Sequence, residues 1–193
     1  IAAGTGAIGL PLARALFAAG HQVTALSRST ARHAELRGSG ITTVAVDALD
    51  RDALMRVVER AHPTHVVHQL TALPEGGPRR SADAEATSRL RIDGTRNLLD
   101  AAIRAGAERL IVGSFAVLAE GAGTPAGDAV HSMEQQVLDA SRRGAVEGII
   151  LRYGMFYGLE ARATRAMLGM VKARRLPVPR PDQGALPMIH VAD

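Results

Sequence analysis

The sequence predicts an α/β fold, a doubly wound parallel sheet between two layers of helices. Three observations predict it. Short β-rich apolar runs alternate with longer stretches of helical periodicity along the whole chain. Two of those runs, Arg109-Leu-Ile-Val-Gly113 and Gly148-Ile-Ile-Leu151, are apolar at successive positions, as strands covered on both faces require. The links between elements are short, and strand–helix–strand units with short links build parallel sheets.

The elements follow in order. A strand end at residues 1–3 runs into a glycine-rich turn, Gly4-Thr5-Gly6-Ala7-Ile8-Gly9, with the spacing G-x-G-x-x-G. A helix near 7–19 follows, apolar at Leu12, Ala13, Leu16 and Phe17 and stopped by Gly20. Pro11 is tolerated there because first-turn N–H groups have no intrahelical partner to lose. Further strands are expected near 22–27, 41–46, 64–69, 108–113 and 147–152, and helices near 30–38, 51–61, 84–105, 130–143 and 160–174. Asp50 is placed to cap the helix that opens at Arg51. Two loops, Thr71 to Ser81 (with Pro74, Gly76, Gly77 and Pro78) and Gly121 to Gly127, lie at strand carboxyl ends, where ligands gather in open α/β sheets. There is no internal repeat and no low-complexity tract.

Composition bounds the function. A chain of 193 residues, 47% hydrophobic and 22% charged, suits one globular domain. It contains no cysteine, which excludes disulfides and thiolate chemistry and fits a reducing compartment. The longest uncharged apolar run, Leu110 to Ala119, is half a membrane span, and no secretory leader is present, so a soluble cytoplasmic protein is expected, with no membrane partner. The isoelectric point near 10.5 reflects arginine usage: Lys172 is the only lysine among 23 basic residues, and the net charge is only +4. The arginines are scattered, and three Phe and two Tyr make no stacking platform, which argues against nucleic acid. The chain reads as part of a longer protein, because no methionine precedes Ile1 and Leu186 to Asp193 reads as a new element beginning.

The glycine turn carries the strongest chemistry. In such a turn Gly4 makes the tight bend, Gly6 lets backbone approach a pyrophosphate, and Gly9 lets the helix pack against the strand. The helix N-terminus and its dipole favour the phosphate charge. Arg28 follows the second strand, where an acid would bind the ribose hydroxyls of NAD and an arginine suits the 2′-phosphate of NADP. NADP is therefore the expected cofactor, with NAD as the alternative. Asp47 ends the third strand and is placed either to accept a hydrogen bond from an adenine amino group or to serve as a turn aspartate. His62, His65 and His68 recur every third residue, but Pro63 breaks a helix there and strand positions 65 and 68 face opposite ways, so no metal site is expected.

Several segments in order, Gly4–Gly9, Asp47, Val66-Val67-His68-Gln69-Leu70-Thr71-Ala72, Asp93-Gly94-Thr95-Arg96-Asn97-Leu98-Leu99 and Leu151-Arg-Tyr-Gly-Met-Phe-Tyr157-Gly158, resemble the extended and atypical short-chain dehydrogenase/reductases, the NAD-dependent epimerase/dehydratase group. The resemblance implies a Rossmann domain over residues 1–185 and, from 186 to 193, the start of a substrate-binding region. It implies that Thr5, Gly6, Ala7 and Ile8 contact the pyrophosphate, Asp47 and Ala48 the adenine, and Leu70, Thr71 and Ala72 the ribose and nicotinamide side. It also implies that Asn97 helps order the backbone of the site.

The departures bear on catalysis. The family's usual G-x-x-G-x-x-G puts its first glycine on Ala3. Its proton relay is a serine or threonine after the fifth strand with Tyr-x-x-x-Lys on the next helix, because a tyrosine needs a nearby ammonium to move a proton at neutral pH. No Tyr-x-x-x-Lys occurs in this chain. The serine position falls on Phe115, with Ser114 one place early. Replacement candidates are Ser114, His131 (titrating near neutrality), and Tyr153 and Tyr157 beyond the sixth strand. Two readings stay open: an oxidoreductase or epimerase/dehydratase with a non-standard proton donor, or a non-catalytic dinucleotide-binding regulator or redox sensor. The first is favoured, with a small carbonyl, alcohol or sugar-type substrate as partner and homodimerisation left open.

Overall fold

A computed structural model describes residues 1–31, 33–72, 81–116, 123–158, 162–175, 187–191 and 193. The middle of the sheet is the chain's first residues. Ala2 bridges in parallel to Leu26 on one side and to His68 on the other, with Ala2 N donating to Val67 O at 2.8 Å and Gly4 N to Leu26 O at 2.9 Å. From that central segment the chain winds outward twice. One half is β1 (Thr24–Ser27) and β2 (Thr42–Ala45), and the other is β3 (His65–His68), β4 (Arg109–Phe115) and β5 (Glu147–Tyr153), all parallel. The spatial order is β2, β1, the Ala2 segment, β3, β4, β5, the doubly wound order whose ligand crevice opens where the winding reverses.

Helices cover both faces. On one face α1 (Gly9–Ala18) and α2 (His33–Arg37) bury Ala13, Val23, Ala25, Leu36 and Ile41 in a small core. On the other, α3 (Arg51–Ala61), α4 (Ser81–Arg89), α5 (Thr95–Arg104) and α6 (Pro125–Arg142) close the main core, where Leu54, Leu98, Leu110, Val112, Met133 and Val137 are all but fully buried. Removing about 25 cal/mol of unfavourable hydration per Å² of apolar surface is what drives this layering. Among the described residues no helix is long and apolar enough to cross a membrane.

The differences from the sequence reading have local causes. The expected helix over 84–105 is two helices joined by one π-helical turn, Leu90–Gly94, and its first helix opens earlier, at Ser81. Helix α6 starts at Pro125 rather than near 130: Thr124 caps it by accepting from Gly127 N at 3.1 Å, with proline in its first turn, so Gly127 is helical rather than loop. Asp50 caps α3 as expected, accepting from Ala53 N at 3.0 Å. Beyond β5, Gly154 breaks the strand. A separate parallel pair forms from β6 (Met155–Tyr157) and β7 (Met188–His190), with α7 (Arg162–Lys172) between them in sequence. The parts of the two expected loops at residues 73–80 and 121–122, including Pro74, Gly76, Gly77, Pro78 and Gly121, lie outside the described residues.

Candidate functional site

The turn from the central segment into α1 forms one wall of the crevice. Its left-handed residue is Ala3 (φ 60°), not Gly4. The tight bend is thus made one place earlier than expected, by a residue whose Cβ disfavours that conformation by about 1–2 kcal/mol. Gly4 is required for a different reason: a Cβ there would stand 2.6 Å from Ala25 Cβ. A Cβ on Gly9 would stand 2.1 Å from Ala3 O, so the helix packs on the turn only because Gly9 has none. Gly6 N donates to that same carbonyl at 2.9 Å. The Thr5 hydroxyl donates to Ser27 Oγ at 2.7 Å and ties the turn to β1. No side chain caps α1 at Ile8, in contrast to α3 and α6, and among the described residues the N–H groups of Ala7, Ile8 and Gly9 at its entry meet no backbone acceptor.

Beside the turn lies a cleft of about 210 Å³ whose walls include Ala3, Thr5, Gly6, Arg28, Asp47 and Ala48, and, from β3 and the π turn, Leu70, Thr71 and Leu90. Arg28 is exposed at its rim. Asp47 Oδ1 accepts from Leu49 N at 2.9 Å, which fixes the turn after β2. Asn97 reaches from α5 and donates to Ala48 O at 2.9 Å, ordering the floor of this side of the cleft. A larger hollow of about 420 Å³ near Ala107 and Gly144 lies at the amino ends of β4 and β5, the opposite end of the sheet.

On the β3 side, His68 is buried. Its Nδ1 accepts from Leu70 N at 3.2 Å, which leaves the proton on Nε2, 2.8 Å from Thr95 Oγ1. Burial pushes its pKa down to about 4, so it is neutral. His65 is exposed on the same strand, and among the described residues no group of histidines or carboxylates converges as a metal site. Ala72 N donates to Thr87 Oγ1 at 3.3 Å. Next to these, Gln69 Nε2 donates to the Tyr153 hydroxyl at 3.2 Å, and the two side chains meet over Gly113, where a Cβ would come within 2.6 Å of the Gln69 amide and 2.8 Å of the Tyr153 ring. Tyr153 also packs on Phe156, ring centroids 5.0 Å apart.

The catalytic candidates are not brought together. Ser114 faces α6, the side of the sheet opposite Gly113, and its hydroxyl donates to Glu134 Oε1 at 2.6 Å. Glu134 is itself held from β5 by Arg152, Nε at 3.0 Å and Nη2 at 2.6 Å, a bidentate clamp. The Arg152 hydrogen bonds hold the Glu134 carboxyl below the usual carboxylate range against the opposing effect of burial, and the Ser114 bond adds to them. His131 is on the exposed face of α6. Tyr157 is half-exposed on β6, edge-on to His190 at 5.2 Å. Of the four, Tyr153 is the one whose side chain is bonded to a residue at the carboxyl end of β3, Gln69.

The comparisons with known proteins add an identity to this geometry. A family model described as the NAD dependent epimerase/dehydratase family matches residues 1–179. The chain belongs to that family. A 3-diazoavenalumate denitrifying reductase from a Streptomyces species is 36% identical over 217 aligned residues, spanning 100% of this chain and 68% of the relative. Among solved structures, the Thermus thermophilus UDP-glucose 4-epimerase, in complex with NAD, superposes with a TM-score of 0.76 at 22% identity, covering 98% of this chain and 69% of that one. The Thermotoga maritima UDP-glucose 4-epimerase, with UDP-glucose, gives 0.79 at 17% identity, covering 99% and 68%. At these identities the two epimerases bear on the fold alone. Family membership, with a reductase as relative, supports an NAD-dependent oxidoreductase/epimerase enzyme.

The cofactor of the family is a nicotinamide dinucleotide, and the cleft fits one. Glycines 4 and 9 have no room for a Cβ, the N-terminus of α1 is uncapped, and the cleft has no carboxylate other than Asp47 among its described walls. Sequence reasoning missed Gln69, Glu134 as a partner of Ser114, Arg152 and Arg91. For Glu134 and Arg152 the only signal is register, since Ser114 lies opposite Arg152 across β4 and β5. For Arg91 the signal was available: Thr87, Arg91 and Thr95 recur at helical spacing of four.

Proposed function

We propose that this protein is an NADP-preferring reductase that delivers a hydride to a small electrophile without the tyrosine–lysine relay of its family. The observation that carries the reading is the pairing of an intact dinucleotide cleft with a proton relay that is missing. No Tyr-x-x-x-Lys is present, and the Ser114 hydroxyl is committed to Glu134 on α6. In this reading the Thr5 to Gly9 backbone holds the pyrophosphate, and Arg28 with its neighbouring serines holds a 2′-phosphate. Asp47 and Ala48 border the adenine, and Leu70, Thr71 and Ala72 border the ribose and nicotinamide. Residues 1–185 serve as the dinucleotide domain, and the segment from 186 begins the substrate region.

When bound, the reduced nicotinamide supplies the hydride. The 36% identical denitrifying reductase makes a diazo compound the favoured substrate class. That class also suits a site without a proton donor. A diazonium group, R–N₂⁺, that accepts a hydride becomes R–H and releases N₂: the C–N bond breaks, a C–H bond forms, and no proton from the protein enters the balance. A carbonyl is different, because the alkoxide formed by hydride addition must be protonated. Tyr153, at the crevice end of β5 with its hydroxyl oriented by Gln69, is the residue that favours this second reading. The full-length protein, NADPH and a carboxybenzenediazonium salt are the test, with NADPH oxidation and released N₂ measured above the rate without protein, beside a screen of aldehydes and ketones. We expect stoichiometric N₂, and Tyr153→Phe to leave its release largely intact. Carbonyl turnover lost in Tyr153→Phe, with no N₂, establishes the second reading instead.

A further inference from the structure

Among the described residues, Arg91 is a buried cation without a counter-ion. It lies on the π turn with only 9% of its surface exposed, whereas arginines such as Arg14 and Arg96 sit on the surface in ion pairs with Glu35 and Asp93. Among the described residues no carboxylate or carbonyl accepts from it. Asp93, two residues on, is taken by Arg89 and Arg96. Its titratable neighbour on β3 is His68, which carries no charge to pair with. Burial lowers the pKa of Arg91, yet a guanidinium stays protonated, so the charge is held where little solvent offsets it.

The placement says where a counter-ion would enter. Thr87, Arg91 and Thr95 are successive buried positions along α4, the π turn and α5. Thr87 holds the backbone of Ala72 and Thr95 holds His68, so the helix face that carries Arg91 is fastened to the segment just beyond β3 on both sides of it. Leu90, one residue earlier, lines the dinucleotide cleft. The π turn that sets this geometry is itself held from α6, Gln136 Nε2 donating to Ile92 O at 3.2 Å. π turns of this kind are frequent at functional sites. The pyrophosphate end of the cleft, at Gly4 to Gly9, belongs to the central segment and α1, whereas Arg91 belongs to the β3 end.

We propose that Arg91 anchors a carboxylate, or a comparable oxyanion, carried by the substrate. The proposal deepens the reductase reading and rests on it for the placement of the crevice. A planar guanidinium takes a carboxylate bidentately, and in a buried setting that bond orients the substrate as well as holding it. The neutral state of His68 leaves this charge unopposed by a second cation and unsatisfied by an anion.

The test uses the full-length protein, titrated by calorimetry with NADPH and then, at saturating NADPH, with benzoate and with benzamide as probes. In the wild type benzoate is expected to bind at least about tenfold tighter than benzamide. Arg91→Gln is expected to lower benzoate affinity to the level of benzamide, Arg91→Lys to fall between, and NADPH affinity to stay within about twofold in both. Equal binding of the two probes by the wild type overturns the proposal. So does a variant that loses NADPH but not benzoate, for then the guanidinium serves a phosphate of the cofactor. Should Arg91→Gln not fold, the wild-type comparison and Arg91→Lys decide the matter. Benzoate held through Arg91 together with no release of N₂ from a diazonium compound leaves the anchor standing and removes the diazo reading, so the two failures are distinguishable.

Discussion

Ser114 donates its hydroxyl hydrogen to Glu134 across 2.6 Å, and both side chains are buried between β4 and α6. Arg152 closes the group from β5, with its own side chain about half exposed. The arrangement ties a strand, its neighbour and the helix above them into one unit, and it commits the serine hydroxyl to the carboxylate. We expect Ser114→Ala to cost about 1 kcal/mol of stability and Glu134→Ala about 2–3 kcal/mol. The larger loss follows because a carboxylate that satisfies two partners is removed. The cost stays below that of a fully buried pair because water can reach Arg152. Urea denaturation of the two variants measures both. A Glu134→Ala variant as stable as wild type would show that the clamp contributes nothing net.

Stability should fall on acidification in two overlapping windows. His68 is depressed from 6.5 to about 4, so between those values the unfolded chain binds a proton that the folded chain refuses, and stability drops as pH falls through that range, by on the order of 3 kcal/mol at most. Glu134 is also depressed, so its contribution is present above the ordinary carboxylate value and is lost as pH falls through its folded value. Denaturation curves from pH 7 down to pH 4 should show a slope above pH 5 that flattens in His68→Gln. An unchanged slope in that variant would assign it to other groups.

The turn should respond in opposite directions to two single-methyl changes. Ala3 holds a left-handed conformation, so Ala3→Gly relieves strain and is expected to raise stability by up to about 1 kcal/mol, net of the entropy of glycine in the unfolded chain. Gly9→Ala drives a Cβ to 2.1 Å from Ala3 O, against backbone that cannot move aside, so it should displace α1 and abolish dinucleotide binding. Thermal melts with and without NADPH read both outcomes.

Arg28→Asp should reverse cofactor preference. Replacing a cation at the rim by an acid removes the proposed partner of a 2′-phosphate and offers one to ribose hydroxyls. NADPH affinity is expected to fall at least about tenfold and NADH affinity to hold or improve. Equal losses for both cofactors would place Arg28 outside the 2′-phosphate site.

Much of the fold was legible because its signals are local. The periodicity marked five strands and six helices to within a few residues, apart from the starts of α2, α4 and α6. Asp50 announced its cap through the free N–H groups of the turn beside it. The start of α6 was hidden because Thr124 and Pro125 look like loop residues until the helix they open is seen. The π turn was invisible because one extra residue per turn leaves the amphipathic pattern of 84–105 nearly unchanged. β6 was missed, and the element expected from 186 was not read as a strand, because three-residue strands have too few positions to show an alternation.

The sequence by itself determined the layered α/β plan, the glycine turn and the absence of the tyrosine–lysine relay, since each is written in residue types and short spacings. Only the tertiary structure decided which side chains share a space. It paired Ser114 with Glu134, set Tyr153 against Gln69 over Gly113, and buried Arg91 beside a neutral His68. Those contacts join residues up to 84 positions apart, and they depend on strand register and on which face of a sheet or helix each side chain takes. A shift of one residue in a strand would exchange the two faces and undo them.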